Sequence, residues 1–232
     1  FFKNSSTFFR YFSEGKSKKN QYNYYLDAKK KDFYKNEKYF LVNKFINETK
    51  NIKDILDVSG APGNVGYNIS KNFKVNYDLT EFDEKISKHL YNTFKLNFYN
   101  LDFDNIEKNN IPKDKKYDFI IMFHCIYYSK NIIKLLELIN SKLKKNGYLL
   151  IAQIKPNFAA ITKSSIMEGY PPYVFYSSKF INNILINSNY SVITNKKQKI
   201  GNFINHYFLN FSNSKKFIYN FFSFFISCYY IL

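Results

Sequence analysis

Hydrophobic and polar positions alternate along the middle of the chain with a regular change of period. Five short apolar runs have the length of buried strands: "DILDVSG", "FKVNYDLT", "LNFYNLDF", "YDFIIMFHC" and "GYLLIAQI". The segments between them, such as "EFDEKISKHLYNTF" and "KNIIKLLELINSKLKKNG", carry apolar residues at helical spacing. This alternation predicts an α/β fold with a doubly wound, mostly parallel sheet. Gly147, directly behind "KLKK", is predicted to follow the C-terminus of a helix.

The two ends of the chain show less pattern than its centre. Residues 1–50 are rich in Lys, Tyr and Asn, and "NEKYFLVNKFI" indicates a helix, so we predict a helical N-terminal cap. Residues 51–155 form the predicted α/β core. Residues 156–232 are predicted to supply a lid around Pro171 and Pro172, then a helix in "SSKFINNILINSN". Two strands, "YSVITN" and "NHYFLNF", would complete the sheet.

Composition changes this picture little. The net charge of +17 would favour a polyanionic partner, but Lys, Asn, Ile, Phe and Tyr are abundant together and Trp is absent, a pattern that A/T-rich codon usage produces. We therefore do not expect nucleic acid as the partner. Cys125 and Cys228 lack metal-ligand spacing, which predicts no metal site and a reducing, cytoplasmic location. Residues 217–232 are apolar but too short to span a membrane, so we expect at most a weak surface contact.

A glycine-rich turn, "SGAPGNVG", follows the first apolar run directly. In open parallel sheets ligands bind beyond the carboxyl ends of the strands, and Gly60, Gly63 and Gly66 would let backbone approach a ligand closely. No Gly-Lys-Ser/Thr follows, which excludes a Walker-type phosphate loop. Pro62 removes a backbone N–H and Asp57 adds a negative charge, and both disfavour the pyrophosphate of a dinucleotide.

The carboxylate of Asp57 favours a cation instead. S-adenosylmethionine is such a ligand, because it carries an ammonium and a sulfonium but no phosphate. Asp78, ~20 residues beyond the loop, is predicted to end the second strand and to accept hydrogen bonds from ribose hydroxyls. Asp102 is expected to accept from the adenine amino group, with Phe103 as an apolar wall beside it.

Each of these acids also has a purely structural interpretation. Asp57 would then cap the turn amides of Gly60 or Ala61, and Asp78 would cap the helix that begins near Glu81. The segment "LDFDN" would be a plain polar turn. The neighbouring Asp104 is a further candidate for the role given to Asp102.

Taken in order, the five strand segments and the helices behind them resemble the successive motifs of class I S-adenosylmethionine-dependent methyltransferases, over about residues 40–195. "YPPYVFYSSKFINNILINSNYSVI" further resembles a stretch near the end of the small-molecule and glycan methyltransferases of this class. The usual loop, Asp-x-Gly-x-Gly-x-Gly, is altered at Ser59 and Ala61, which are both small. The resemblance implies S-adenosylmethionine as the cofactor and a set of binding residues: Asp57, Ser59, Gly60, Gly63, Asp78, Leu79, Asp102, Phe103 and His124.

His124 comes immediately after the fourth predicted strand, where the resemblance places residues near the transferred methyl group. A histidine there can accept a hydroxyl proton, so we predict a catalytic base; the alternative is that His124 only packs beside the cofactor. Tyr127 and Tyr128 are predicted to face the acceptor, and Cys125 to be a small buried hydrophobe.

These residues predict methyl transfer to an oxygen of a small molecule or a surface-glycan precursor. "Ala-Pro-Gly" is similar to the loop of some ribosomal RNA methyltransferases, which makes RNA methylation the first alternative. A non-catalytic cofactor-binding protein is the second. The sequence contains no pattern that sets an oligomeric state.

Overall fold

The structure, a computed structural model, describes residues 37–49, 51–152, 176 and 178–187. The helices are α1 (Glu37–Glu48), α2 (Asn64–Phe73), α3 (Glu84–Phe94), α4 (Ile132–Lys142) and α5 (Ser178–Asn187). The strands are β1 (Asp54–Val58), β2 (Asn76–Glu81), β3 (Asn97–Asn100), β4 (Tyr117–Phe123) and β5 (Leu143–Ala152). Two short 3-10 helices span Ile106–Lys108 and Ile126–Tyr128. The predicted lid around Pro171 and Pro172 and the two predicted C-terminal strands lie outside the described residues.

The five strands form one parallel sheet in the order β3-β2-β1-β4-β5. The predicted α/β class with a doubly wound parallel sheet is therefore confirmed. Strand β1 lies at the centre, with Asp57 beside Leu79 of β2 on one side and Ile121 of β4 on the other. The order reverses at β1, so its carboxyl end is the switch point where ligands of such sheets bind.

Each face of the sheet buries its own apolar cluster. Ile55 of β1 belongs to the cluster that α1, α2 and α3 cover, whereas Leu56 and Val58 belong to the cluster under α4. Because successive strand residues point to opposite faces, Asp57 lies on the same side as Ile55, facing the N-terminal helix. This alternation brings a carboxylate into an otherwise apolar layer.

Two predicted boundaries are wrong. Strand β2 does not end at Asp78 but continues through Leu79 and Thr80 to Glu81. Helix α4 ends at Lys142, and Gly147 lies within β5 rather than behind the helix. The reason is tertiary: the chain starts to pair with β4 at Leu143, and a register shift in the β4–β5 ladder absorbs the extra residues before the regular pairing resumes.

Within the described residues, none of the helices combines the length and apolar character that crossing a bilayer requires.

Candidate functional site

The turn between β1 and α2 is held by Thr80 of the neighbouring strand. The Ser59 amide donates to Thr80 Oγ1 at 3.0 Å, and the Gly60 amide donates to the Thr80 carbonyl at 3.1 Å. Gly63, at φ 83°, is the N-cap of α2, in a conformation that glycine adopts without strain. The Gly60 amide is one of the two that a structural role for Asp57 would have capped, and it donates to Thr80 instead, a residue that the sequence did not single out.

The glycines of the turn make room for the protein's own side chains. A Cβ on Gly60 would lie 2.6 Å from a methyl carbon of Leu79 and 2.9 Å from the carboxylate of Asp57. A Cβ on Gly66 would lie 2.6 Å from the ring of Tyr77. Leu79, predicted to contact the cofactor, is wholly buried beneath Gly60. Its side chain therefore supports the turn from below.

Asp57 is completely buried and makes a buried ion pair. Its Oδ2 accepts from Lys38 Nζ at 2.8 Å and from the Tyr77 hydroxyl at 3.0 Å. Burial raises the pKa of Tyr77 well above its ordinary value, and the Asp57 carboxylate raises it further, so Tyr77 stays a neutral donor. The other oxygen, Oδ1, has no hydrogen-bond partner among the residues that the structure describes.

The environment of Asp78 differs from the one that the predicted contact with ribose hydroxyls requires. Its carboxylate accepts from Asn97 Nδ2 at 3.0 Å and from the Tyr117 hydroxyl at 2.9 Å, and it pairs with Lys115 Nζ at 2.5 Å. Asn97 and Tyr117 are the first residues of β3 and β4, and Lys115 precedes β4, so these partners gather at the amino edge of the sheet. Burial alone would lower the pKa of Lys115, but the Asp78 carboxylate outweighs it and raises that pKa. The placement does not fit a ribose contact at the carboxyl edge.

Glu81 is the acid at the carboxyl end of β2, and sequence reasoning missed it. Its side chain is 5% exposed, and one oxygen accepts from the backbone amides of Phe82 and Asp83 at 2.9 and 3.3 Å. Burial raises the pKa of Glu81 to about 7, which those amides partly oppose. Phe82 follows with 47% of its surface exposed, so the acid and an exposed aromatic ring stand together at the ligand edge. Glu81 therefore ends β2 and Phe82 follows it, in the place where the sequence predicted Asp78 and Leu79.

Asp102 follows β3 and organises the turn behind it. Its oxygens accept from the Asp104 amide at 2.8 Å and from Asn105 Nδ2 at 2.9 Å. Asp104 in turn pairs with Lys130 at 2.8 Å. Phe103 is half-buried against the apolar cluster under α4. These contacts match the polar-turn interpretation, and the adenine contact stays a prediction.

His124 stands directly after β4, as predicted. Its φ of 56° is left-handed, and its amide donates to the Ala152 carbonyl of β5 at 2.8 Å, which fixes the strained backbone. Cys125 is 1% exposed, and burial, together with the nearby Asp57 carboxylate, raises the pKa of its thiol far above the ordinary value. Tyr127 is 1% exposed and lies in the protein interior, which does not fit an acceptor contact; Tyr128 is half-buried.

No cluster of three or more His, Cys, Asp or Glu side chains suited to a metal ion occurs among the described residues. The chemistry of the edge is therefore that of separate acids on neighbouring strands, with Asp57 on β1 and Glu81 on β2. Oδ1 of Asp57 has no hydrogen-bond partner among the described residues, and Glu81 ends β2 at the edge where sheets of this kind bind ligands.

Comparison with solved structures identifies the class of fold. The plantazolicin methyltransferase BpumL, solved with a pentazolic desmethylPZN analogue and SAH, is similar at 21% identity and TM-score 0.50, over 66% of this chain and 59% of that protein. A SAM-dependent methyltransferase from Archaeoglobus fulgidus is similar at 16% identity and TM-score 0.50, over 72% and 83% of the two chains. At these identities the likeness shows the class I methyltransferase fold. The chain aligns with about three fifths of the length of BpumL.

The sequence itself matches a family model described as Methyltransferase domain over residues 29–195. Because this match covers most of the chain, the protein belongs to that family of methyltransferase domains. The predicted family is thereby confirmed. No curated protein sequence is significantly similar to the chain.

Proposed function

We propose that the enzyme methylates an oxygen atom of a small molecule, with a surface-glycan precursor as one candidate class of acceptor. S-adenosylmethionine supplies, when bound, an electrophilic methyl group on a sulfonium. The observation that carries the cofactor part of the proposal is that Oδ1 of Asp57 has no hydrogen-bond partner among the described residues, since a buried carboxylate oxygen without a donor suits a cationic ligand. The similar structure of BpumL supports a small-molecule acceptor, because that protein was solved with a desmethylPZN analogue.

Residues around the β1–α2 turn would each contact a different part of the cofactor. Asp57 would accept from the ammonium of the cofactor, and Glu81 would accept from its ribose hydroxyls. Phe82 would provide an apolar contact to the base. An ionised Glu81 side chain accepts a hydrogen bond from a ribose hydroxyl more strongly than a neutral Glu81 side chain does. Cofactor affinity should therefore rise as the pH rises through about 7.

His124 is the proposed general base for the acceptor hydroxyl. Its backbone is fixed at the carboxyl edge by the bond to Ala152, next to the strand that carries the central acid. A base in this position would remove the acceptor proton as the oxygen attacks. The buried thiol of Cys125 suits a reducing compartment, so we propose a cytoplasmic location.

Calorimetry with S-adenosylhomocysteine tests the cofactor site. We expect the wild-type protein to bind, and Glu81→Gln to bind about tenfold more weakly at pH 8, because a charge-assisted hydrogen bond becomes a neutral one. The matched control is Glu84→Gln, an exposed acid three residues away that should bind as the wild type does. Equal affinity of the Glu81 variant would contradict the ribose assignment.

Transfer of a labelled methyl group distinguishes the candidate acceptors. We expect label on hydroxylated small molecules and none on RNA, and His124→Asn should lower the rate about a hundredfold or more. Label on RNA, with binding that weakens steeply between 50 and 200 mM salt, would instead support the RNA methyltransferase alternative. Binding without transfer to any acceptor would support a non-catalytic protein.

A further inference from the structure

A buried contact joins the N-terminal helix to the end of the central strand. Lys38, in the first turn of α1, is 8% exposed and places its ammonium 2.8 Å from Oδ2 of Asp57. The Tyr77 hydroxyl of β2 reaches the same oxygen at 3.0 Å. Three elements thus meet at one carboxylate oxygen, although Lys38 and Asp57 are 19 residues apart in the sequence.

Both donors lie on the Oδ2 side of the carboxylate. The group itself packs under the turn, since a Cβ on Gly60 would be 2.9 Å from both its carbon and Oδ2. Oδ1 receives no hydrogen bond from the described residues. A buried charged oxygen without a donor is costly, so this arrangement suits a ligand that brings the missing donor.

We propose that Lys38 is a positioning residue for the cofactor, acting through Asp57. Its ammonium, 2.8 Å from Oδ2, holds the buried carboxylate turned so that Oδ1 meets the ammonium of the amino-acid part of the cofactor. Helix α1 is therefore part of the cofactor site and not only a cover for the sheet. This inference rests on the proposed binding of the cofactor ammonium by Asp57.

The charge of Lys38 by itself works against a cationic ligand, and this separates the two ways in which it might act. If Lys38 served only to hold the helix in place, removing it would weaken every ligand equally. If it acts through Asp57, its removal harms only ligands that carry the ammonium. A direct contact between Lys38 and the cofactor carboxylate would persist without Asp57.

The test is calorimetry with two ligands that differ only in the amino-acid part. S-adenosylhomocysteine carries the ammonium, whereas 5′-methylthioadenosine keeps the adenosine and sulfur without it. We expect Lys38→Met to weaken S-adenosylhomocysteine about tenfold to a hundredfold and to leave 5′-methylthioadenosine within twofold. Lys38→Arg, which keeps the charge, should restore most of the affinity. An equal loss for both ligands overturns the proposal.

A double-mutant cycle with Asp57→Asn shows through which group Lys38 acts. We expect Lys38→Met to cause no further loss when Asp57→Asn is already present, and an additive loss would mean direct contact and overturn the inference. The double variant also removes the unpaired buried charge that could prevent Lys38→Met from folding.

If the single variant Lys38→Met does not fold, Tyr77→Phe replaces it. We expect Tyr77→Phe to weaken S-adenosylhomocysteine selectively, by about threefold, and an unchanged affinity would overturn the inference. A wild-type protein that binds neither ligand would refute the proposed function itself.

Discussion

Three buried acids in two neighbouring strands have three different environments, and these decide what each one can do. Asp57 is held by a lysine and a tyrosine on one oxygen only. Asp78 has a partner on both oxygens and is satisfied by the protein itself. Among the described residues, Glu81 has only backbone donors and no cation, so burial dominates its ionisation. Residues of similar chemistry thus divide into the acid that we propose binds the cofactor, one structural acid and one titrating acid.

The raised pKa of Glu81 predicts an unusual dependence of stability on pH. The folded value of about 7 lies above the ordinary 4.5, so the folded state holds this proton more tightly than the unfolded state does. Its contribution is full below pH 4.5 and is lost as the pH rises to about 7, amounting to about 3 kcal/mol at most. Urea unfolding at pH 5 and pH 8 measures this change in the free energy of unfolding, and Glu81→Gln should remove the part of it that Glu81 causes.

Glu84→Gln is the control for that measurement, since the Glu84 carboxylate is exposed and paired with Lys88. The bond and charge of Lys88 lower the pKa of Glu84, so it titrates below the window in question. If the free energy of unfolding changed between pH 5 and pH 8 by the same amount in the wild type and in Glu81→Gln, Glu81 would not titrate in that range.

Asp57 stands at the carboxyl end of β1, as the sequence predicts, whereas the acid at that end of β2 is Glu81 and not Asp78. Asp57 could be found because it interrupts an apolar run directly before a glycine turn. Asp78 interrupts a similar run, and nothing local tells a satisfied acid from an exposed one, because Asn97, Lys115 and Tyr117 arrive from distant positions. Lys38 was missed for the same reason: a lysine on an amphipathic helix usually faces solvent.

At the scale of the elements, β2 and α3 are joined by a short, well-capped connection. Asp83 is the N-cap of α3, and its Oδ1 accepts from the amides of Lys85 and Ile86, both at 2.9 Å. The Asp83 amide meanwhile donates to Glu81. The cap therefore fixes both the start of the helix and the end of the strand that carries the titrating acid.

Loss of this cap should destabilise the protein modestly. Asp83→Ala leaves two amides of the first turn without an acceptor, and we expect the free energy of unfolding to fall by about 1 kcal/mol. Asp83→Asn keeps an oxygen in the same place and should retain most of the stability. Thermal or urea unfolding measures both. An alanine variant as stable as the asparagine variant would show that the cap contributes nothing.

Element types were predictable because the hydrophobic period changes clearly from strand to helix, and all five strands of the described sheet were found. The ends of these elements were not predictable in the same way, and the N-cap of α3 explains the error at the end of β2. Taking the helix to start near Glu81 ended β2 early; recognising Asp83 as the N-cap would have moved the strand end to Glu81. The end of α4 depended on pairing between β4 and β5, which a local pattern does not contain.

On the scale of the whole molecule, the two edges of the sheet have opposite roles. The carboxyl edge carries the glycine turn, Glu81 and His124, with polar groups available to a ligand. The amino edge is closed by ion pairs, one of them between Asp78 and Lys115. In the other, Lys144 of β5 lies 2.6 Å from Asp54 of β1 and 3.1 Å from Asp118 of β4. These ion pairs thus lie at the amino end of the strands, whereas the candidate ligand-binding groups lie at the carboxyl end.

This division predicts where acid begins to unfold the protein. Burial alone would raise the pKa of Asp54, but hydrogen bonds from Asn76 and Lys144 outweigh it and lower that pKa. Burial would likewise raise the pKa of Asp118, and the amides of residues 53 and 54 together with Lys144 lower it. A lowered pKa gives stability that is present above the ordinary value of 3.8 and lost as the pH falls below it.

Lys144→Met should therefore reduce the pH dependence of the free energy of unfolding on the acid side. It should leave the pH dependence that Glu81 causes unchanged. We expect a loss of about 1 kcal/mol at pH 7, because the cluster is partly exposed, and a smaller loss at pH 3, where part of the stabilisation from the two lowered pKa values is already lost. Affinity for S-adenosylhomocysteine should stay the same, since the cluster lies at the edge away from the glycine turn. Reduced affinity in a fully folded Lys144 variant would show that the two edges are coupled and that stability and chemistry are not divided between them.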